Sequence, residues 1–237
     1  MKLSEITDSN TGITYRLIYV DVEQRKNGHL YMFGLDRGNG YQPYFVDEHF
    51  QLAVNNYDAI PIQECQIVDE IFAGDQPVIV VGYTEAELWW LIDLAHRSNA
   101  EIPDTAVYLD AKATAQKWAR TSRRGELRQL PELLASRKKR DRPRLKSLVS
   151  IARLIGIEMP KDYGYGITSE RFRFAIDSIR KRGSFEAATP TAKSKATKAV
   201  KHNRYDVDTM AALMSVIADQ STDSFIFKAF DLKQAAA

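Results

Sequence analysis

A carboxylate pair near the N-terminus is the first feature of the sequence that could carry chemistry. Asp21 and Glu23, with Val22 between them, stand at the end of the apolar and aromatic run 15–22 (YRLIYVDV). Side chains alternate across a strand, so these two acids would share one face while Val20 and Val22 occupy the other. Two carboxylates on one face repel each other unless a cation lies between them, and hard oxygen ligands suit Mg²⁺ or Mn²⁺. The triplet alone is a weak signal, because solvation at a strand end also explains it.

A second candidate group lies near the C-terminus. His202, Asp206, Met210, Leu213 and Ile217 follow the spacing of one helical stripe. The apolar members make this the core-facing stripe, so His202 and Asp206 should point towards the sheet. A carboxylate there is costly to bury unless it is paired, hydrogen-bonded or metal-bound. The alternative interpretation places Asp206 near the helix start, where an acid caps the helix and favours its dipole.

Strand-forming sequence occupies the first half of the chain. Turn signals separate three runs of β-branched and aromatic residues, which predicts an antiparallel meander. An apolar run bounded by proline and glycine predicts a strand buried on both faces, and a shorter run predicts another strand. The predicted strands span residues 15–22, 30–35, 41–46, 76–83 and 106–109.

Helical periodicity dominates from residue 111 onward. An earlier helix is predicted after Thr84, because Glu87 stands three residues later at the capping-box spacing. Strands first, then a buried strand, then helices indicate an α/β or α+β protein with a mixed sheet. The predicted helices span residues 85–97, 145–155, 169–182, 189–200 and 202–218.

The order of these features resembles a known nuclease superfamily. The stretches that carry the likeness are IYVDVE, LYMFGL, VIVVGYTEAELWWL and TPTAKSKATKAVKHNRYDVDTM, about half of the chain. They are similar to the RNase H-like 3′–5′ exonucleases of the DEDD class, most of all to the predicted RNase H-like nuclease branch. The resemblance implies a single α/β domain over residues 1–237, with an RNase H-like mixed sheet of an antiparallel three-stranded meander plus parallel strands, flanked by helices. It also implies a basic helical insertion at about residues 112–200.

The resemblance further implies a metal-dependent phosphodiester hydrolase. Carboxylates would hold two ions, Mg²⁺ or Mn²⁺, and the enzyme would use them to hydrolyse phosphodiester bonds of DNA or RNA. Matched position by position, Asp21 and Glu23 correspond to the first motif and Asp206 to the last metal ligand. His202 corresponds to the residue that orients or deprotonates the attacking water.

Two departures from the family pattern affect this assignment. The middle motif usually supplies an aspartate, but residues 83–90 contain none, so Glu87 takes that role with Glu85 as the less favoured alternative. His202 also precedes Asp206 by four positions, a spacing typical of the tyrosine in this family, whereas histidine more often stands five positions before.

Positive charge is concentrated in two segments. Residues 120–146 contain eleven Lys and Arg against three acids, residues 170–204 contain ten against three, and the rest of the chain carries −13. Basic surfaces beside acids suit a metal-dependent enzyme that acts on nucleic acid. The alternative is that both segments are solvated helix faces. The predicted nucleic-acid contacts are Arg137, Lys138, Lys139, Arg140, Lys198 and Lys201.

Composition excludes several function classes. The 237 residues are 44% hydrophobic and 27% charged, as in soluble globular proteins. No run approaches the roughly 18 apolar residues of a membrane helix, and the N-terminus lacks a signal-peptide core. We therefore expect a reduced cytoplasmic protein without a membrane partner; its protein partners are undefined.

Phosphate-binding loops, dinucleotide fingerprints and nucleophile elbows are missing from the sequence. The single cysteine, Cys65, is expected to be a small buried apolar residue.

Two other functions compete with an exonuclease. A non-catalytic RNase H-fold module would bind nucleic acid or a partner protein and keep the acids as structural groups. An endonuclease such as a resolvase would share the fold. Three tryptophans could stack bases, although core packing is the favoured interpretation for a residue in an apolar helix. They are Trp89, Trp90 and Trp118.

Overall fold

A mixed β-sheet forms the centre of the molecule. A computed structural model of the chain describes residues 3–9, 11–25, 28–135, 147–158, 160, 163, 166–220 and 229–232. The strands within these ranges are β1 (Glu5–Thr7), β2 (Thr14–Gln24), β3 (Leu30–Asp36), β4 (Tyr41–Phe45), β5 (Ile60–Pro61), β6 (Val78–Gly82), β7 (Val107–Asp110) and β8 (Ala229–Asp231).

Seven helices accompany these strands in the described part of the chain. They are α1 (Ile67–Ile71), α2 (Glu85–Ser98), α3 (Ala111–Ser122), α4 (Arg124–Ala135), α5 (Leu148–Ala152), α6 (Thr168–Arg182) and α7 (Pro190–Gln220). Short 3₁₀ turns lie at Phe50–Asn56, Glu64–Gln66 and Arg153–Ile155.

Strand β2 is the centre of the sheet. The order is β5-β4-β3-β2-β6-β7-β8, and β1 also pairs with β2. The β2, β3 and β4 strands form the predicted antiparallel meander. On the other side of β2, strands β6 and β7 run parallel to it. The chain is therefore an α/β protein with a mixed sheet, as the sequence predicts.

Alternation along β2 divides its side chains between the two sheet faces. Ile18 and Val20 pack into the core that contains α1 and α2. Leu17 and Tyr19 pack into the opposite core, which contains α3, α5 and α7. Asp21 lies on this second face, where it meets α7. The predicted alternation is confirmed, and it directs the first acid of the candidate site towards α7.

The buried strand β6 and its following helix also match the prediction. Every residue of β6 is buried. The side chain of Thr84 accepts a hydrogen bond at the N-terminus of α2, and the capping box with Glu87 is formed. This cap fixes Glu87 at the carboxyl end of β6, beside the end of β2.

One helix prediction is wrong in a way that affects the site. The sequence predicts separate helices over residues 189–200 and 202–218, whereas α7 is a single helix of 31 residues from Pro190 to Gln220. Residues 191–220 contain neither glycine nor proline, so nothing in the backbone interrupts it. Asp206 therefore lies in the middle of α7, and the interpretation that it caps a helix start is wrong.

Other side-chain expectations are corrected as well. Cys65 is exposed rather than buried, because it lies in the short 3₁₀ turn before α1. Trp90 and Trp118 are buried in the core, but Trp89 is 56% exposed on the outer face of α2. Of the helices described, none is both long and apolar enough to cross a membrane.

Candidate functional site

Asp21 is held by an asparagine from α7. The amide nitrogen Nδ2 of Asn203 donates to Oδ2 of Asp21 at 2.6 Å and to the Asp21 carbonyl oxygen at 3.0 Å. The other end of this fully buried amide, Oδ1, accepts a hydrogen bond from the Tyr41 hydroxyl at 2.8 Å. These contacts fix α7 over the end of β2 and orient the Asp21 carboxylate.

Gly34 makes room for this bridge. It is the residue of β3 directly opposite Asp21. A Cβ atom at this position would overlap Oδ1 of Asn203 and the ring of Tyr41. Only glycine therefore allows Asn203 to reach the sheet without displacing a neighbour.

Glu23 and Glu87 lie at the carboxyl ends of neighbouring parallel strands. Glu23 is 9% exposed. Glu87 accepts hydrogen bonds at Oε2 from the Thr84 backbone nitrogen at 2.9 Å and the Thr84 hydroxyl at 2.8 Å. The hydroxyl of Tyr108 donates to the carbonyl of Thr84, which fixes this turn from β7.

Asp206 meets a tyrosine from a distant part of the chain. Its side chain is 14% exposed. The hydroxyl of Tyr163 lies 2.7 Å from Oδ1 and 3.1 Å from Oδ2 of Asp206, and donates to this carboxylate. Asp206 thus lies inside the molecule with a neutral donor, not on the outer surface.

His202 is enclosed beneath Tyr163. The two rings stack with centroids 3.9 Å apart and planes 20° apart. Nδ1 of His202 is 2.9 Å from the Tyr163 carbonyl oxygen; since a carbonyl only accepts, Nδ1 carries the hydrogen. Nε2 then faces Asp206, with 3.4 Å between Nε2 and Oδ2. Burial lowers the pKa of His202 to about 4, so the imidazole is neutral at pH 7.

The four predicted acids act on one another electrostatically. Burial raises the pKa of Asp21 well above its usual value, and the charges of Asp206, Glu23 and Glu87 raise it further. Burial and Asp206 also raise the pKa of Glu23 well above its usual value. Burial raises the pKa of Glu87 despite its hydrogen bonds to Thr84. These mutual effects mean that residues from β2, α2 and α7 converge on one region.

Asp206 is the α7 member of this acidic cluster of Asp21, Glu23, Glu87 and Asp206. Burial raises the pKa of Asp206 to about 7, the hydroxyl of Tyr163 opposes the rise and Glu87 adds to it. Within the described residues, no Arg or Lys side chain donates a hydrogen bond to any of these four acids. The cluster therefore concentrates negative charge where water cannot screen it fully.

This donor set fits divalent cations. Carboxylate oxygens are the ligands that Mg²⁺ and Mn²⁺ prefer, and a bound cation would offset the repulsion that raises the pKa values. Among the residues described, no three His, Cys, Asp or Glu side chains already have the arrangement of a metal-ligand group.

The alternative middle acid lies elsewhere. Glu85 lines a cavity of about 410 Å³ between the N-terminal turns of α2 and α3, together with Asp110, Lys112 and Gln116. Glu87, rather than Glu85, is the acid whose charge raises the pKa of Asp21.

The predicted nucleic-acid contacts are only partly described. Lys198 is partly exposed and Lys201 is exposed on α7, one to two turns before Asp206. The other predicted contacts lie outside the described residues; they are Arg137, Lys138, Lys139 and Arg140.

Sequence reasoning missed three residues of the site. Asn203 precedes Asp206 by three positions and therefore shares its helix face, so the helical periodicity contained a signal for it. Gly34 carried no signal before the pairing of β3 with β2 was known. Tyr163 lies 43 residues from Asp206 in a loop, and no periodicity links the two.

Comparisons with known proteins leave the function to be argued from this geometry. A search of protein-family models finds none that matches the chain, and a search of curated proteins finds no matching sequence.

Proposed function

We propose that this protein is a metal-dependent nuclease that hydrolyses phosphodiester bonds of DNA or RNA, with the activity of a 3′–5′ exonuclease. The observation that carries the proposal is the convergence of Asp21, Glu23, Glu87 and Asp206, whose pKa values are all raised. Burying such a cluster costs stability unless a proton or a cation neutralises its charge, and perturbed carboxylates concentrate at functional sites.

The topology supports an RNase H-like fold. An antiparallel meander of β2, β3 and β4 is extended beyond β2 by the parallel strands β6 and β7. This is the sheet that the resemblance to the exonuclease superfamily implies. It brings the first motif on β2 and the middle motif after β6 to the same sheet edge, because β2 and β6 are parallel neighbours.

The four acids would hold two Mg²⁺ or Mn²⁺ ions. Bound there, the ions would supply a nucleophilic hydroxide and stabilise the leaving oxygen. Asn203 orients Asp21 through Oδ2, which leaves Oδ1 of Asp21 available as a ligand atom. Glu87 likewise uses Oε2 for the capping box, which leaves Oε1.

His202 would act on the attacking water as a neutral base. Its Nδ1 hydrogen is donated to the Tyr163 carbonyl, so Nε2 is the ring atom able to accept a hydrogen bond from water. His202 is 8% exposed and its Nε2 lies 3.4 Å from Oδ2 of Asp206, so a water bound to Nε2 would lie beside the Asp206 carboxylate.

Nucleic acid would reach the site along α7. Lys198 and Lys201 would contact phosphates, which would give salt-dependent binding with little sequence preference. Of the three tryptophans only Trp89 has the exposure needed to stack on a base.

Cleavage assays with matched helix variants test the proposal. Labelled single-stranded and duplex DNA and RNA would be incubated with Mn²⁺ and wild type, Asp206→Asn or Asp208→Asn. Asp208 lies on the same helix with a partly exposed side chain 3.4 Å from Arg204, so it is the control. We expect Asp206→Asn to reduce cleavage by more than about 100-fold, as for loss of a metal ligand, and Asp208→Asn to retain it.

The possible results separate the competing functions. Binding of nucleic acid without metal-dependent cleavage would contradict the proposal and favour the non-catalytic module. Cleavage of a circular substrate would identify an endonuclease, because an exonuclease needs a strand end.

A further inference from the structure

Tyr163 lies in the site although the sequence motifs do not include it. It is 6% exposed, so its ring belongs to the interior rather than to the substrate surface. Its hydroxyl reaches both oxygens of Asp206, at 2.7 and 3.1 Å. A single donor between two carboxylate oxygens restricts rotation of the Asp206 side chain about its last bond.

The backbone of Tyr163 is fixed independently of its hydroxyl. Nη1 of Arg171 on α6 donates to the Tyr163 carbonyl oxygen at 2.8 Å. Nδ1 of His202 donates to the same oxygen at 2.9 Å. Arg171 is 8% exposed, and a buried guanidinium that donates to a neutral carbonyl is a strong local tie.

The ring of Tyr163 is fixed as well. One face stacks on His202 at 3.9 Å between centroids, and the Tyr205 ring packs at a steep angle with its centroid 5.1 Å from that of Tyr163. Both neighbours belong to α7, the helix that carries Asp206. The hydroxyl is thus held in position before any ligand binds.

We propose that Tyr163 is a positioning residue that orients the Asp206 carboxylate for a divalent cation. This inference rests on the proposed function, because it assigns Asp206 as a metal ligand. Each oxygen of a carboxylate has two lone pairs, so an oxygen that accepts from Tyr163 keeps one for the cation. His202 and Arg171 serve this arrangement by anchoring the Tyr163 carbonyl.

The chemistry of the phenol is consistent with this role. A tyrosine hydroxyl ordinarily ionises only near about pH 10, so at neutral pH it is an uncharged donor. A neutral donor orients a carboxylate without cancelling its negative charge, so the carboxylate still attracts the cation. Groups that hydrogen-bond to metal ligands in this way typically change metal affinity by 10- to 100-fold when removed.

Removal of the single hydroxyl tests the inference. Tyr163→Phe keeps the ring, the stacking on His202 and the backbone carbonyl. Tyr57→Phe is the control, because the Tyr57 hydroxyl also bonds α7, at Thr197 with 3.1 Å between oxygens, away from the acidic cluster. Mn²⁺ affinity of the full chain would be measured by calorimetry, with thermal unfolding of the metal-free proteins as a check on folding.

We expect Tyr163→Phe to weaken Mn²⁺ binding by about 10-fold or more and Tyr57→Phe to leave it unchanged. With substrate, we expect Tyr163→Phe to lower kcat and leave KM for nucleic acid unchanged, since Tyr163 is not exposed to the substrate. A merely structural role would lower the unfolding temperature without this selective loss of affinity. Equal Mn²⁺ affinity in Tyr163→Phe and wild type would overturn the inference alone. If wild type itself bound no Mn²⁺, both the inference and the proposed function would be overturned.

Discussion

At the scale of single residues, the site depends on a few positions that tolerate no change in size. Asn203 bridges Asp21 and Tyr41, and it fits because Gly34 has no side chain. The acids alone do not make the site. Their orientation is set by neutral neighbours, among them Asn203 and Tyr163.

Gly34→Ala is expected to lower both stability and activity. The added Cβ overlaps Asn203 and the Tyr41 ring, and overpacking of this kind costs about 1–3 kcal/mol. Urea unfolding and nuclease assays measure the two effects. Gly125→Ala is the control, because Gly125 lies within α4 and a Cβ there meets no atom within 4 Å. Gly125 is the second residue of this helix, so alanine there is expected to keep wild-type stability and activity. A Gly34→Ala protein with wild-type stability would contradict the packing account.

The residues that sequence analysis could identify share a dependence on local periodicity. Strand alternation placed Asp21 and Glu23 on one face, and capping-box spacing placed Glu87 at the start of α2. Tyr163 and Gly34 could not be identified in this way, because their roles depend on contacts between segments far apart in sequence. Whether the identified acids bind metal stays a prediction.

At the scale of elements, the two halves of α7 differ in their packing and exposure. Its N-terminal half packs against α6 and carries exposed or partly exposed lysines, while its C-terminal half packs into the core beside β2. The candidate site residues His202, Asn203 and Asp206 lie between these halves. The sequence prediction divided this helix at residue 201, although residues 191–220 contain no glycine or proline that would interrupt it.

Loss of the exposed lysines of α7 is expected to weaken nucleic-acid binding uniformly across sequences. The double variant Lys198→Ala and Lys201→Ala would remove two of the proposed phosphate contacts. Each lost contact should reduce the slope of log affinity against log salt by about 0.7–0.9. Fluorescence anisotropy with a labelled oligonucleotide at several salt concentrations measures this slope. Lys117→Ala, an exposed lysine of α3, should keep the wild-type slope. An unchanged slope in the double variant would show that these lysines are only solvated.

At the scale of the whole molecule, the acidic cluster makes stability depend on pH and on cations. An acid whose pKa is higher in the folded than in the unfolded state contributes more stability when it is protonated than when it is ionised. For Asp206 the pKa rises from 3.8 to about 7. Its contribution is therefore fully present below about pH 4 and is lost as the pH rises towards 7. Asp21 and Glu23 shift in the same direction.

The metal-free protein is accordingly expected to melt at a lower temperature at pH 8 than at pH 5, and Mn²⁺ at pH 8 is expected to restore the difference. Thermal unfolding in EDTA and in excess Mn²⁺ measures both effects. Glu23→Gln removes one of the repelling charges, so it should melt at a higher temperature than wild type at pH 8 without metal. Each unit by which folding raises the pKa of Glu23 corresponds to about 1 kcal/mol or more of unfolding free energy. Glu48→Gln should match wild type, because the Glu48 side chain is 86% exposed. A melting temperature that increases from pH 5 to pH 8 in EDTA would argue against charge repulsion in the cluster.

The continuity of α7 has a geometric consequence. Lys198 and Asp206 are eight residues apart on one uninterrupted helix, a span of about 12 Å at 1.5 Å per residue. Under the proposed function, this fixed span would set how far along a strand the hydrolysed bond lies from the phosphate that Lys198 contacts. One residue inserted between them would rotate Lys198 by about 100° around the helix axis relative to Asp206.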